Sequence, residues 1–380
     1  MKAIVTEAEL PSAVAGLRGL GRAAVPVVAV ARGRLPAGRW SRHAAESATS
    51  PAPLDDPSGF ARRIAQLARA HGQAAVYPSS EAAIEAMLAG WEELDGAAVL
   101  PYPGPEPLRT IRDKRELSKL AAAVGLRAPK TLASGTADEL ASRRVPVPCV
   151  VKPATPCGAR QGAHAIDAEG DLDRLRVAGR LPHGEQLLAQ ERVEGKLMSV
   201  ELVVGRDGSV AARFQARAER TSPRRAGLIS LARSVPPDDD LAERLAAMLA
   251  RAGYWGLAQI DLVDGTDGAT LIDINPRFYS CLPLSMACGL NLPGIWHAVA
   301  AGEVSSGPPP YETGVRFRWL EGELAEAVRG EPGRLATRPA RGGAGAMWAP
   351  DDPVAAAALA GSAISGRLRR GIAGLLRRGA

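Results

Sequence analysis

Cysteines, aromatic residues and long apolar runs are all scarce in this sequence. Its 380 residues include four cysteines, Cys149, Cys157, Cys281 and Cys288. No two of them form a CxxC pair or join a histidine at metal-ligand spacing, which argues against a zinc module and a disulfide scaffold. Unpaired thiols fit a reducing cytoplasm. Aromatic residues make up 4% of the chain, and no basic stripe is interleaved with them, so nucleic acid is not an expected partner. No apolar run approaches the ~18–20 residues of a membrane span. The start, Met1-Lys-Ala-Ile-Val, reads as a short buried strand and lacks the apolar region of a signal peptide. Three motifs are missing as well. The turn after the first strand, Thr6 to Ser12, has none of the glycines that bring a dinucleotide close. No GK[ST] follows the later glycine-containing loop, and there is no G-x-S-x-G elbow. The five histidines are scattered and read as structural.

What is present is ordinary globular material. Hydrophobic residues make up 46% and charged residues 23%. The net charge of +6 suits a small anionic ligand. The length predicts two or three domains. Strands at 2–6, 25–31, 74–78 and 97–100 alternate with helices at 12–22, 59–70 and 80–91, the pattern of a parallel doubly wound sheet. The proline-rich segment 101–107 marks a boundary. A helix over 107–124 follows, closed by Gly125 and Pro129. Strands are predicted at 149–154, 187–190, 198–204 and 209–216, a helix at 238–252, and a strand pair at 257–263 and 269–274 around a turn at 264–268. In the tail, Ile364, Leu368, Ile372, Leu375 and Leu376 fall at helical spacing among five arginines. They suggest a terminal helix docked on the body or, alternatively, lying on an anionic membrane surface.

The chemistry concentrates in 256–277, GLAQIDLVDGTDGATLIDINPR. Alternation along the strands puts Asp261 on the face of Gln259, and Asp273 on the face of Asn275 and Arg277. A hairpin between them sets both carboxylates on one side. Hard oxygen donors on rigid strands suit Mg²⁺, and Arg277 would sit at the edge of a metal–phosphate centre. A charged residue within the apolar LIDINPR run needs a partner. Lys152 ends a second apolar strand, CVVKPA. The loop after it, TPCGARQG, carries glycines whose neighbouring amides can cover phosphates. The stretch 213–233 holds Arg213, Arg217, Arg220, Arg224, Arg225 and Arg233. It is either a solvated basic loop or the site of a carboxylate clamp, with Arg220 the first choice and Gly227 allowing close backbone approach.

Lys152 with its loop, the segment QERVEG at 190–195 and GLAQIDLV…LIDINPRF resemble, in that order, the ATP-grasp enzymes. The likeness covers about residues 106–300. It implies an α/β, or α+β composite, ATP-grasp fold. Residues 1–105 would be a Rossmann-like N-terminal α/β domain, 106–305 the nucleotide and substrate domain, and 306–380 a C-terminal region. It implies ATP and two Mg²⁺ ions, with Mn²⁺ as a substitute. The metals would be held by Asp261, Asp273 and Asn275. The nucleotide would meet Lys114, Lys152, the loop residues Thr155, Gly158 and Gly162, and the hinge residues Glu191 and Val193, with Glu201 assigned to the ribose. Arg277, Lys152 and Arg220 would serve catalysis. Asp stands at both metal positions where many members carry Glu.

Within the superfamily, LRGLGRAAVPVVAV, SRHA, RAERTSPRRAGLIS and GLNLPGIWHAVAAG look most similar to the predicted carboxylate–amine ligases, the group of D-aspartate ligase; the pyrrolysine-pathway ligase is a related likeness. The implied activity is ATP-dependent amide or peptide bond formation through an acyl phosphate, releasing ADP and phosphate. The substrates would be a small carboxylate and an amine, at least one of them an amino acid, and a homodimer is implied by analogy. The alternatives are another acyl phosphate chemistry, a carboxylase or thiol ligase, and a non-catalytic ATP-binding regulator.

Overall fold

The computed structural model describes residues 1–33, 36–156, 162–224, 227–303, 306–336 and 343–363. The first hundred residues form β1 (Ala3–Val5), α1 (Pro11–Arg22), β2 (Val27–Ala31), β3 (Glu46–Thr49), α2 (Pro57–Ala70), β4 (Ala75–Tyr77), α3 (Glu81–Ala89) and α4 (Trp91–Leu94). Their strands make a parallel sheet in the order β3-β2-β1-β4. The chain moves outward from β1 to β3, then crosses back to the far side of β1. That reversal opens a crevice at the C-terminal ends of β1 and β4. Helices cover the sheet, so AIV, VVAVA and AVY are fully buried, as their apolar runs predict. The polar edge strand β3 has no such pattern and is not legible in the sequence. The strand expected at 97–100 is reduced to a bridge between Val99 and Ala75.

The single helix expected at 107–124 is two, α5 (Pro105–Arg112) and α6 (Lys114–Ala122). Asp113 leaves the helical region with ψ 112° and caps α6 by accepting the Arg115 N–H. The break places Lys114 in the first turn of α6, where its backbone N–H bonds the Ala154 carbonyl at 2.9 Å. A four-stranded antiparallel sheet follows. It is built from β5 (Thr131–Gly135), α7 (Ala137–Ser142), β6 (Cys149–Pro153), β7 (His164–Ile166), α8 (Asp171–Val177) and β8 (Leu187–Glu191), with strand order β5-β8-β6-β7. It packs a small core of its own around Leu140, Val151 and Leu187.

The large sheet contains β9 (Lys196–Val204), β10 (Val210–Ser222) and β11 (Leu228–Ser234), then, after α9 (Asp239–Arg251), β12 (Gly256–Gly265) and β13 (Gly268–Asn275). Beyond α10 (Pro283–Ala287) and α11 (Leu292–Ala300) it gains β14 (Arg316–Arg318) and, after α12 (Leu320–Val328), β15 (Ala344–Gly345). Its order is β13-β12-β9-β10-β11-β14-β15. Two expectations are corrected here. The arginine-rich stretch is mostly strand: β10 and β11 pair antiparallel, and Arg213, Arg217 and Arg233 are ion-paired to Asp239, Asp264 and Glu219, while Arg224 lies between the strands and Arg225 outside the described residues. Nor do the described residues of 306–380 stand apart, because β14 and β15 extend the same sheet. Gly227 packs against its own turn: a Cβ there would lie 2.2 Å from the Pro223 backbone.

The segment after β15 returns to the first domain. Arg18 and Asp352 form an ion pair of 2.8 Å with side chains 3% and 2% exposed. Asp352 also accepts from Ser41 Oγ and the Arg42 N–H. A helix beginning at 353 adds Ala355 and Leu359 to Val14 and Ala37. The expected amphipathic helix from Ile364 onward lies outside the described residues. Among the described residues no helix is long and apolar enough to cross a membrane.

Asp352→Ala would strand a buried guanidinium. It should cost about 3–5 kcal/mol and lower the urea midpoint. Asp351→Ala, which removes a half-exposed partner of Arg22, should cost no more than ~1 kcal/mol.

Candidate active site

A cavity of about 1580 Å³ is lined by both antiparallel sheets and the crevice of the first domain. Its floor is the β12–β13 hairpin. In the register of that pair Asp261 stands opposite Asp273, and Gln259 opposite Asn275. Directly opposed side chains share one face at close range, so the two carboxylates repel. Burial and then the Asp273 charge push the Asp261 carboxyl up to about 7, against the pull of Arg277, Lys114 and Lys152.

Cations surround the pair. Lys114 Nζ is 2.8 Å from Asp273 Oδ1. Lys152 Nζ donates to the Ile272 carbonyl at 2.8 Å; burial brings its ammonium down to about 8, with Lys114 acting in the same direction and Asp273 opposing. Gln259 Nε2 donates to Asp261 Oδ1 at 2.8 Å. Arg277 donates through Nη2 to Asn275 Oδ1 at 2.9 Å and through Nε to Glu81 Oε1 at 2.6 Å. Glu81 also pairs with Arg112 at 2.9 Å. Burial would raise the Glu81 carboxyl, but the guanidiniums of Arg277 and Arg112 outweigh it and hold it at about 2.

The hairpin therefore brings together Asp261, Asp273, Asn275, Lys114, Lys152 and Arg277. Two carboxylates and an amide oxygen fit a hard divalent cation that takes its other ligands from water and phosphate. Among the described residues no three His, Cys, Asp or Glu side chains converge as a metal cage, so such an ion would be wrapped by protein on one side. The sequence does not reveal Glu81 and Arg112. Each reads as an ordinary charge on an amphipathic helix, and no local signal says that they meet Arg277.

Farther along the cavity wall are the hinge residues. Glu191 ends β8, and its Oε1 accepts the Lys130 N–H at 3.0 Å. Val193 follows, half-buried, and both line the cavity. Gly195, at φ +153°, lets the hinge pass against the hairpin: a Cβ there would meet the Asp264 carbonyl oxygen at 2.4 Å. Thr155 is exposed just beyond β6, and Gly162 lines the cavity. Gly158, Cys157 and Arg160 lie outside the described residues.

Two assignments are corrected. Arg220 lines the cavity, but its Nη1 is held by the buried carboxylate of Glu323 at 2.7 Å and by the Arg334 carbonyl at 3.2 Å. Its charge is thus already matched within the protein, and it is not a free carboxylate clamp. Glu201 does not suit a ribose contact. Six residues along β9 separate it from Gly195, ~20 Å at strand rise, and Ser199, opposite Asp261, lies between. Glu201 is instead buried, bonded to Ser199 Oγ at 2.5 Å, and its carboxyl is raised by burial to about 8.

Because Asp261 titrates near 7, divalent-ion binding should release a proton, and Mg²⁺ affinity should fall as pH drops below about 7. Calorimetry in two buffers of different ionisation enthalpy measures the proton. Asp261→Asn should abolish its release. Without metal the sign runs the other way. The unfolded chain ionises this group near its ordinary 3.8 while the folded chain still holds the proton. Stability from this residue therefore declines between that pH and about 7.

Comparisons with known proteins agree with this geometry. Residues 183–323 match the family model for "ATP-grasp in the biosynthetic pathway with Ter operon". The large chain of carbamoyl phosphate synthase from Xylella fastidiosa is 24% identical over 215 residues, which is 53% of this chain and 20% of that protein. The chain thus spans about a fifth of the length of the curated relatives it matches. Among solved structures, the ADP complex of N5-carboxyaminoimidazole ribonucleotide synthetase matches with a TM-score of 0.63 and 15% identity, over 86% of this chain and 84% of that one. The biotin carboxylase domain of Hydrogenobacter thermophilus 2-oxoglutarate carboxylase, in complex with MgADP, ADP and bicarbonate, matches with a TM-score of 0.60 and 16% identity, over 83% and 73%. Biotin carboxylase from Campylobacter jejuni gives 0.60 and 15%, over 83% and 74%. The two antiparallel sheets, the acid hairpin at the edge of the larger one and these likenesses together establish that the chain has the ATP-grasp fold.

Proposed function

We propose that the protein is an ATP- and Mg²⁺-dependent carboxylate–amine ligase. The observation that carries the reading is the hairpin itself: two opposed carboxylates, an amide oxygen, two lysines and an arginine converge on one cavity face. Such a set neutralises and positions a triphosphate, and phosphoryl transfer needs positioning and charge neutralisation more than a protein nucleophile. Mg²⁺, when bound, supplies charge neutralisation on the transferring phosphoryl group. Asp261, Asp273 and Asn275 would hold it. Lys114 and Lys152 would orient the phosphates, and the backbone at Glu191 and Val193 would take the adenine edge. Arg277, held from behind by Glu81, presents a fixed guanidinium to the charge that develops when a substrate carboxylate attacks the γ-phosphate. An amine then displaces phosphate from the acyl phosphate and forms the amide.

Among the described residues the cysteines Cys149, Cys281 and Cys288 are buried and do not suit a thiol nucleophile. Burial pushes the Cys281 thiol well above its ordinary value, so it stays protonated and inert. A second reading, carboxylation with bicarbonate as the acid, is supported by the bicarbonate in the Hydrogenobacter complex. Both begin with an acyl phosphate.

The test is nucleotide product. Mg²⁺-ATP is incubated with pooled amino acids, small di-acids and, in a separate arm, bicarbonate. Substrate-dependent ADP is expected, and Asp273→Asn should reduce it at least ~100-fold. AMP in place of ADP would mean adenylation and would overturn the reading.

A further inference from the structure

Apart from Glu81, the crevice of the first domain is a part of the cavity wall that the phosphoryl-transfer machinery does not use. It lies between the β1–α1 loop and the β4–α3 loop. Leu10, Pro11 and Ser12 from the first loop and Glu81 from the start of α3 line the cavity. Glu7, the second residue after β1, has φ +53°. A residue with a Cβ pays strain in that region, and such strain persists where the surroundings impose it, commonly at functional sites. The turn holds it there: the Leu10 N–H bonds the Glu7 carbonyl at 2.8 Å, and the Ala8 N–H bonds the Val30 carbonyl at 2.9 Å.

The Glu7 side chain is fixed as well. Ser80 Oγ donates to its Oε2, and Ser80 Oγ itself caps α3 by accepting the Ala83 N–H at 3.1 Å. Among the described residues no cation pairs with Glu7. The two nearby guanidiniums are engaged elsewhere, Arg32 with Glu9 at 3.6 Å and Arg277 with Glu81 at 2.6 Å. The groups facing Glu7 are Ser80, Glu9, Arg277 and Arg32. Burial, helped by Glu9, raises its carboxyl to about 7, although the Ser80 hydrogen bond and both arginines pull the other way. A half-buried carboxylate that no cation pairs with among the described residues is a seat for a cation.

We propose that Glu7 receives the ammonium group of the amine substrate and takes the proton that its nitrogen must lose before attack. This rests on the ligase reading above. The class of ligand is a small primary amine, such as the amino group of an amino acid. The step balances as follows. One ammonium proton passes to the Glu7 carboxylate. The freed nitrogen lone pair forms the C–N bond to the acyl carbon. The C–O bond to phosphate breaks, its electron pair leaves on phosphate, and the second nitrogen proton goes with it as hydrogen phosphate.

The test separates this step from the one before it. Wild type and Glu7→Gln are given Mg²⁺-ATP and a mixture of the proteinogenic amino acids, with and without hydroxylamine. Hydroxylamine is uncharged at neutral pH and needs no base to attack an acyl phosphate. The expected result is that Glu7→Gln forms ADP and hydroxamate within about twofold of wild type, while amide formation falls ~100-fold or more. The retained hydroxamate shows that the variant is folded. Glu7→Asp should shift the same amide-to-hydroxamate ratio in the same direction by less, and serves if Glu7→Gln does not fold. Equal loss of both products, or undiminished amide, would overturn the proposal. If wild type forms neither ADP nor hydroxamate, the ligase reading itself fails, and that is known before any variant is made.

Discussion

Two carboxylates opposed on one face of a half-buried hairpin repel each other, and the groups around the cavity answer that repulsion. Lys114 sits on Asp273, Lys152 is held just beneath by the Ile272 carbonyl, and Arg277 reaches Asp261 through Asn275. The local backbone serves the same end. The break at Asp113 places Lys114 at a helix start, and Gly195 brings the hinge onto the hairpin. Charges at this spacing in a poorly solvated cavity would be costly without one another. Together they make the charged surface on which the ligase reading rests.

The same hairpin ties the domains together. Directly after Arg277, Phe278 packs against Tyr77 and Trp296 and fits over Gly16, where a Cβ would lie 2.2 Å from its ring. The Phe278 N–H bonds the Pro78 carbonyl. One residue earlier, Arg277 crosses to Glu81. Apolar contact and ion pair therefore fix the first domain against the reacting centre from neighbouring positions. The crevice of that domain, through Leu10, Pro11, Ser12 and Glu81, therefore lines the same cavity as Arg277.

The sequence alone determined the parts whose signal is local. Buried parallel strands show as unbroken apolar runs, and the hairpin shows as two alternating segments around a Gly-containing turn. Asp273 and Asn275 show as polar residues in an apolar strand. From these follow the first domain, the acidic face and Lys152, whereas Lys114 follows only from the family resemblance. What only the tertiary structure decided concerns partners far apart in the chain. Arg220 reads as a free cation until Glu323, 103 residues on, is folded against it. Glu201 reads as a ribose ligand until strand rise carries it past Asp261. Residues 306–380 read as a separate region until β14 and β15 join the large sheet. Glu7 and Glu81 carry no local mark at all. The physical reason is the same in each case. Periodicity and turn chemistry act over a few residues, whereas an ion pair or a carboxyl raised by burial is set by whatever the completed fold brings within a few ångströms.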